Sequence, residues 1–139
     1  MWKSLLLLIL MPAAQATEGL PRSTSPANAQ VYIISPRDGE TVKGDVTVRF
    51  GLRGMGVAPA GIDMVGTGHH HLLIDVAPLP PMDKPLPKND QYLHFGAGQT
   101  ETTLKLAPGK HSLQLVLGDK LHIPHDPPVL SEKISITVE

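Results

Sequence analysis

Apolar and polar residues alternate over short stretches along most of this chain. Over residues 45–52, for example, the apolar side chains of Val46, Val48 and Phe50 fall on one face and polar side chains fall on the other. This period of two is typical of a β-strand with one buried face. The chain shows no helical period of useful length. Strand-like stretches are predicted at 30–34, 45–52, 69–76, 92–95, 100–106, 111–117 and 133–138.

Three loops rich in glycine and proline separate these stretches. Residues 53–68 contain five glycines, residues 77–90 contain five prolines, and residues 118–128 form the third loop. The turn signals Asp38-Gly39 and Pro108-Gly109 lie between other stretches. The pattern predicts an all-β fold: a single immunoglobulin-like β-sandwich of six to seven short strands over residues 30–139.

The first 29 residues differ from the rest. Lys3 precedes an unbroken apolar run over residues 5–11, and Ala14-Gln15-Ala16 then supplies small residues at a cleavage site. This order predicts a secretory signal peptide over residues 1–16, because the run is too short to span a bilayer. Residues 17–29 are polar and predict a flexible leader. We therefore expect a periplasmic or secreted protein with no membrane anchor after cleavage.

Composition narrows the possible chemistry. The formal net charge is −1, which does not favour nucleic acid as a partner. The chain has no cysteine, which excludes disulfides and thiolate metal sites. Its seven histidines all lie beyond residue 68, and most of them are clustered. No catalytic sequence motif is present, so catalysis is not the favoured function.

The histidines predict a metal site. Histidines at i and i+2 of a strand share a face, so His69 and His71 should point one way and His70 the other. His122 and His125 lie in a loop that its prolines stiffen. Imidazole nitrogens suit copper and zinc. We predict a copper or zinc site built from His70, His71, His94, His122 and His125, with His69 as an additional candidate.

Other polar residues have predicted supporting roles. Gln99, Glu101 and Asp75 are expected to orient the ligating imidazoles by hydrogen bonds. Asp90, Asp119 and Asp126 are further acidic candidates for that role. His111 alternates with three leucines, so we expect it to pack on the core and to form one hydrogen bond to the backbone.

Several motifs carry resemblances to known proteins. The stretch from Ser35-Pro36 to Phe50 resembles the first hairpin of bacterial immunoglobulin-like modules. Pro108-Gly109-x-His111 resembles their E–F corner, where a tyrosine usually stands in place of His111. Four further motifs in order resemble a bacterial exported family, the domain of unknown function 4399. These motifs are Gly68-His69-His70-His71-Leu72-Leu73-Ile74-Asp75, His94-Phe95-Gly96-x-Gly98-Gln99-Thr100-Glu101, Leu113-Gln114-Leu115-x-Leu117-Gly118-Asp119 and His122-x-Pro124-His125-x-Pro127-Pro128-Val129.

The family resemblance implies an exported β-sandwich domain and names no reaction. It also groups the histidine motifs with Gln99 and Glu101, so loops that carry them would meet at one end of the sandwich. The favoured hypothesis is an exported, non-catalytic domain that binds copper or zinc for buffering or delivery in the cell envelope. The alternatives are a structural module that binds an envelope protein through a hydrogen-bonded histidine cluster, and a metal-dependent enzyme with an open coordination position.

Overall fold

In a computed structural model, which describes residues 19–139, the chain forms nine β-strands and no helix. The described part therefore offers no helix that is long and apolar enough to cross a membrane. The signal peptide predicted for residues 1–16 lies outside the described residues. The strands are β1 (Gln30–Ser35), β2 (Thr41–Val42), β3 (Val46–Arg53), β4 (Gly56–Val57), β5 (Thr67–Ile74), β6 (Tyr92–His94), β7 (Glu101–Leu104), β8 (Gly109–Gly118) and β9 (Ile134–Val138).

The strands form two sheets. A three-stranded sheet has the order β1-β3-β7, and a six-stranded sheet has the order β2-β9-β8-β5-β4, with β6 also paired to β5. The predicted all-β sandwich is confirmed. Two of the nine strands, β2 and β4, contain only two residues each, which accounts for the smaller number of strands that the alternation predicts.

The main core lies between the two sheets. Val46, Val48 and Phe50 of β3 contribute to it from the three-stranded sheet, as the alternation predicts. Leu72 and Ile74 of β5 meet them from the six-stranded sheet. Burial of these branched and aromatic side chains stabilises the sandwich without any disulfide, at roughly 1.5–3 kcal/mol for each fully buried side chain.

Strand β5 is buried on both faces. Its inward face contributes to the main core, and its outward face carries His69, His71 and Leu73. The loop between β5 and β6 folds over this outward face, where its Leu86 packs with Leu73. Histidines that a simple two-layer sandwich would leave in solvent are therefore enclosed.

The described part of the N-terminal segment is attached to the domain. The amide of Ser25 donates to the carbonyl of Asp126 at 3.1 Å, and the amide of Asp126 donates to the carbonyl of Ser23 at 2.9 Å. The hydroxyl of Ser25 also donates to the carbonyl of Pro127. This attachment differs from the flexible leader that the composition predicts for residues 17–29, because the segment finds backbone partners in the loop that follows β8.

Candidate metal centre

Strand β5 supplies two imidazoles on its outward face. His69 and His71 are each 1% exposed, and their ring centroids lie 4.6 Å apart. The period of two along a strand places them side by side, as the sequence predicts. The loops on this side of the sheet bury both rings, which the alternation along the strand does not predict.

A neighbouring strand supplies the third imidazole. Strand β6 runs antiparallel to β5, and His94 is the direct cross-strand partner of His71. Directly opposed residues in such a pair have side chains on the same face of the sheet. The rings of His71 and His94 accordingly lie 5.1 Å apart between centroids.

The fourth imidazole comes from the loop after β8. The ring of His122 lies 4.5 Å from that of His94 and 5.0 Å from that of His69, between centroids. Each residue of this group has one ring nitrogen within 4.8 Å of a ring nitrogen on every other member. We call the group the four-histidine cluster; its members are His69, His71, His94 and His122.

The nitrogen spacing suits a shared metal ion. Nε2 of His69 lies 3.0 Å from Nδ1 of His122 and 3.2 Å from Nε2 of His94. Ligand nitrogens around tetrahedral zinc, with bonds of about 2.0–2.1 Å, lie roughly 3.3 Å apart. A donor set of four imidazoles fits copper or zinc. The residues present therefore fit such an ion, with small side-chain shifts to close the widest spacing.

A buried carboxylate shapes the loop that carries His122. Asp119 is 3% exposed, and its Oδ1 accepts hydrogen bonds from the amides of Leu121 and Ile123. Its Oδ2 accepts a hydrogen bond from the hydroxyl of Ser23. His122 has a backbone φ of 65°, which a non-glycine residue adopts only when its surroundings hold it there. The hydrogen bonds to Asp119 supply that constraint.

Burial keeps three of the four imidazoles in the form that binds metals. It lowers the pKa of His69 to about 4, assisted by the nearby imidazoles of His122 and His94. It lowers the pKa of His71 to about 2 and also lowers the pKa of His94. Neutral imidazole is the ligand form, so these three side chains need not release a proton at neutral pH before binding a cation.

Two histidines of the predicted ligand set lie outside the cluster. His70 points to the opposite face of β5, where its ring contacts Phe50 of the core with centroids 5.1 Å apart. His125 is buried elsewhere, and its Nε2 donates to the carbonyl of Thr67. The structure therefore separates His70 and His125 from the group and places His69 within it, because strand alternation puts His69 and His71 on the same side.

The three predicted supporting residues also lie away from the cluster. Asp75 accepts hydrogen bonds from His111 and from the amide of Ser112. The side chain of Gln99 accepts a hydrogen bond from the amide of Ala97, and Glu101 forms an exposed ion pair with Arg49 at 3.9 Å. The carboxylate that supports the cluster is that of Asp119, which holds the loop of His122. The sequence predicts Asp119 only as one of three further acidic candidates.

His111 has the structural contact that its position predicts. Its Nε2 donates to the carbonyl of Ala107 at 2.7 Å, which is the predicted backbone hydrogen bond of the corner. Its Nδ1 lies 2.7 Å from Oδ2 of Asp75. These partners raise the pKa of His111, with the hydrogen bond to Asp75 as the main cause.

Two glycines beside the imidazoles belong to the site and are not predicted by the sequence. A Cβ atom on Gly118 would lie 2.5 Å from Cε1 of His71, and one on Gly96 would lie 2.3 Å from Cε1 of His94. Both separations are shorter than real Cβ contacts, so a side chain at either position would have to displace the ring. The motif Phe95-Gly96 and the end of β8 at Gly118 are visible in the sequence, but only the fold shows which rings they accommodate.

Comparisons with known proteins identify a family but no activity. No curated protein matches the chain. A solved structure of Clostridium thermocellum CbhA fibronectin(III)-like modules is similar at 13% identity and a TM-score of 0.35, covering 78% of this chain and 93% of that one. The family model described as "Domain of unknown function (DUF4399)" matches residues 48–139, which is more than half of the chain. The chain therefore belongs to the DUF4399 family.

Proposed function

We propose that the four-histidine cluster binds one copper or zinc ion, and that the protein buffers or delivers this metal in the cell envelope. The observation that carries the proposal is the convergence of four ring nitrogens from three separate segments to within 4.8 Å of one another. The predicted signal peptide supports the envelope location, because it would direct the mature chain out of the cytoplasm.

A second candidate function is a metal-free interaction module, in which hydrogen bonds between the imidazoles hold the cluster together. Nε2 of His69 has two imidazole nitrogens within hydrogen-bonding distance. A neutral imidazole nitrogen has either one proton or one lone pair, so it makes only one good hydrogen bond. One of the two contacts is therefore left unsatisfied without a cation. This incomplete bonding favours the metal-binding function over the hydrogen-bonded module.

Metal titration tests the proposal directly. The purified protein should bind one Zn²⁺ or copper ion per chain in equilibrium dialysis with metal analysis. At a free metal concentration 100 times the Kd, binding should stabilise the fold by about 2.7 kcal/mol and raise the Tm by roughly 10 °C. His69→Ala combined with His122→Ala should abolish both the bound metal and the shift.

A buried histidine outside the cluster provides the matched control. His125→Gln removes a buried imidazole that is not one of the four members of the cluster, so it should retain one metal per chain. Equal retention by the double alanine variant and the wild type would contradict the proposal. Loss of metal in His125→Gln alone would show that the ligands lie elsewhere.

A further inference from the structure

A cavity of about 130 Å³ leads from the surface to the four-histidine cluster. Three of the four imidazoles line it, those of His71, His94 and His122. His69 does not line the cavity and is 1% exposed. A metal ion held by the cluster would therefore have one side facing this cavity and the other enclosed by the sheet.

The far wall of the cavity is firmly held. Leu86 lines it and is 7% exposed, and its side chain packs with Leu73 and Val116 on the outward face of the sheet. Its amide donates to the carbonyl of His122 at 2.8 Å, which ties this wall directly to the histidine loop. Prolines on both sides of Leu86 restrict its backbone further. The wall that Leu86 forms is therefore attached both to the sheet and to the loop that carries His122.

The remaining lining residue is a cation. Lys88 borders the cavity, and its positive charge contributes to lowering the pKa of His94. None of the ion pairs formed within residues 19–139 involves Lys88. The buried carboxylate of Asp119 does not line this cavity. The residues that line the cavity therefore include one cationic side chain and no carboxylate.

An ammonium group beside a metal cation is unfavourable unless an anion lies between them. Two positive charges repel each other, and an anion bound to both turns that repulsion into attraction. A metal ion with four neutral imidazole ligands also keeps its full charge, which favours an anionic fifth ligand. A cavity of about 130 Å³ is large enough to hold a small anion beside the metal ion.

From this geometry we infer that the cavity is a binding site for one small inorganic monoanion, which coordinates the metal ion of the cluster and is held by Lys88. The inference rests on the proposed metal-binding function. It assigns the metal an exchangeable coordination position on the cavity side.

Azide binding to the copper(II)-loaded protein tests the inference. Azide added to the loaded protein should produce a new ligand-to-metal charge-transfer band and change the copper electron paramagnetic resonance spectrum, with saturation at one azide per copper. Lys88→Gln should bind one copper as the wild type does but weaken azide binding about fivefold. Lys84→Gln is the matched control, since Lys84 lies in the same loop but does not line the cavity, and it should bind azide as the wild type does.

The possible outcomes distinguish a failure of the anion site from a failure of metal binding. One copper bound per chain with no spectral response to azide would overturn the anion site and leave metal binding intact. Equal azide affinity in Lys88→Gln and the wild type would overturn the role of Lys88. Failure of the wild-type protein to bind copper or zinc would overturn both proposals together.

Discussion

At the residue scale, His70 is the least satisfied side chain in the core. It is 0% exposed, and neither of its ring nitrogens has a hydrogen-bond partner among the described residues. A buried polar group without a partner costs about 1–3 kcal/mol. Burial also lowers the pKa of His70 to about 4, so the ring stays neutral in the folded protein. The position therefore reduces stability while it contributes nothing to the four-histidine cluster.

Replacing His70 with leucine should stabilise the metal-free protein. His70→Leu removes the unsatisfied nitrogens and keeps a side chain of similar size in the core, so the free energy of unfolding should rise by about 1–2 kcal/mol in urea denaturation. The variant should still bind one metal ion. His71→Leu is the control, because it also removes a buried imidazole but should lose the metal. A loss of stability in His70→Leu would contradict this expectation, because it would show that the ring nitrogens of His70 form hydrogen bonds in the folded protein.

His111 adds a pH-dependent contribution to stability. Its two ring nitrogens face only acceptors, the Ala107 carbonyl and the Asp75 carboxylate, so the protonated ring satisfies both. Because folding raises its pKa, this contribution is fully present below the unfolded value of about 6.5 and is lost as pH rises through the folded value.

The variant Asp75→Asn isolates this contribution. Asparagine tolerates the positive φ of residue 75 and can still accept from the Ser112 amide, so the change removes mainly the charge. The wild type should exceed the variant in stability by about 0.5–1 kcal/mol at pH 6, with a smaller difference at pH 9. Urea denaturation at the two pH values measures this. A difference that grows with pH would contradict the assignment.

At the element scale, the centre depends on how closely three segments approach one another. Strands β5 and β6 contribute opposed histidines, and the chain that leaves β8 contributes His122. Gly118 ends β8 where the ring of His71 fills the space that a Cβ would need. The last residue of one strand thus determines where a ring from its neighbour lies.

Adding a methyl group at Gly118 should lower the metal affinity of the cluster more than it lowers the stability of the fold. Gly118→Ala forces the His71 ring away, so metal affinity should fall at least about tenfold, in line with losses seen when the surroundings of metal ligands are disturbed. Gly56→Ala in β4 of the same sheet is the matched control, because the nearest atom would be 3.7 Å from the new Cβ. Calorimetric titration with Zn²⁺ compares the two. Equal affinity in both variants would show that His71 is not a ligand.

At the scale of the whole molecule, the N-terminal segment braces the loop that carries His122. Ser23 donates to Asp119, and Arg22 donates to the backbone carbonyls of Pro124 and His125. Arg22 also lies 3.7 Å from Asp126 in an ion pair. The segment is distant in sequence from the centre but contributes to its geometry.

Removing this segment should weaken both the fold and the metal site. A chain that begins at Ala27 lacks these hydrogen bonds, so its free energy of unfolding should fall by about 2–4 kcal/mol, and its metal affinity should fall as the loop loosens. A chain that begins at Thr17 is the control and should match the full-length protein. Ser23→Ala tests the hydroxyl contact to Asp119 alone. Unchanged melting of the shortened chain would contradict the bracing role.

Much of the fold follows from the order of the residues. Alternation in β3, β5, β8 and β9 predicts which side chains reach the core, because side chains of a strand alternate strictly between its two faces. The same rule pairs His69 with His71 and turns His70 away. The corner role of His111 also follows from the sequence, because that contact is local and reaches back only four residues to Ala107.

Only the tertiary structure decided which histidines meet. Whether His94, His122 or His125 joins the pair on β5 depends on strand register and on the path of a loop, and both arise from contacts between segments far apart in the chain. The support of Asp119 and the cavity beside Lys88 depend on the same long-range packing. Local alternation encodes the face on which a side chain lies, whereas the neighbours on that face are set by how the sheets and loops pack.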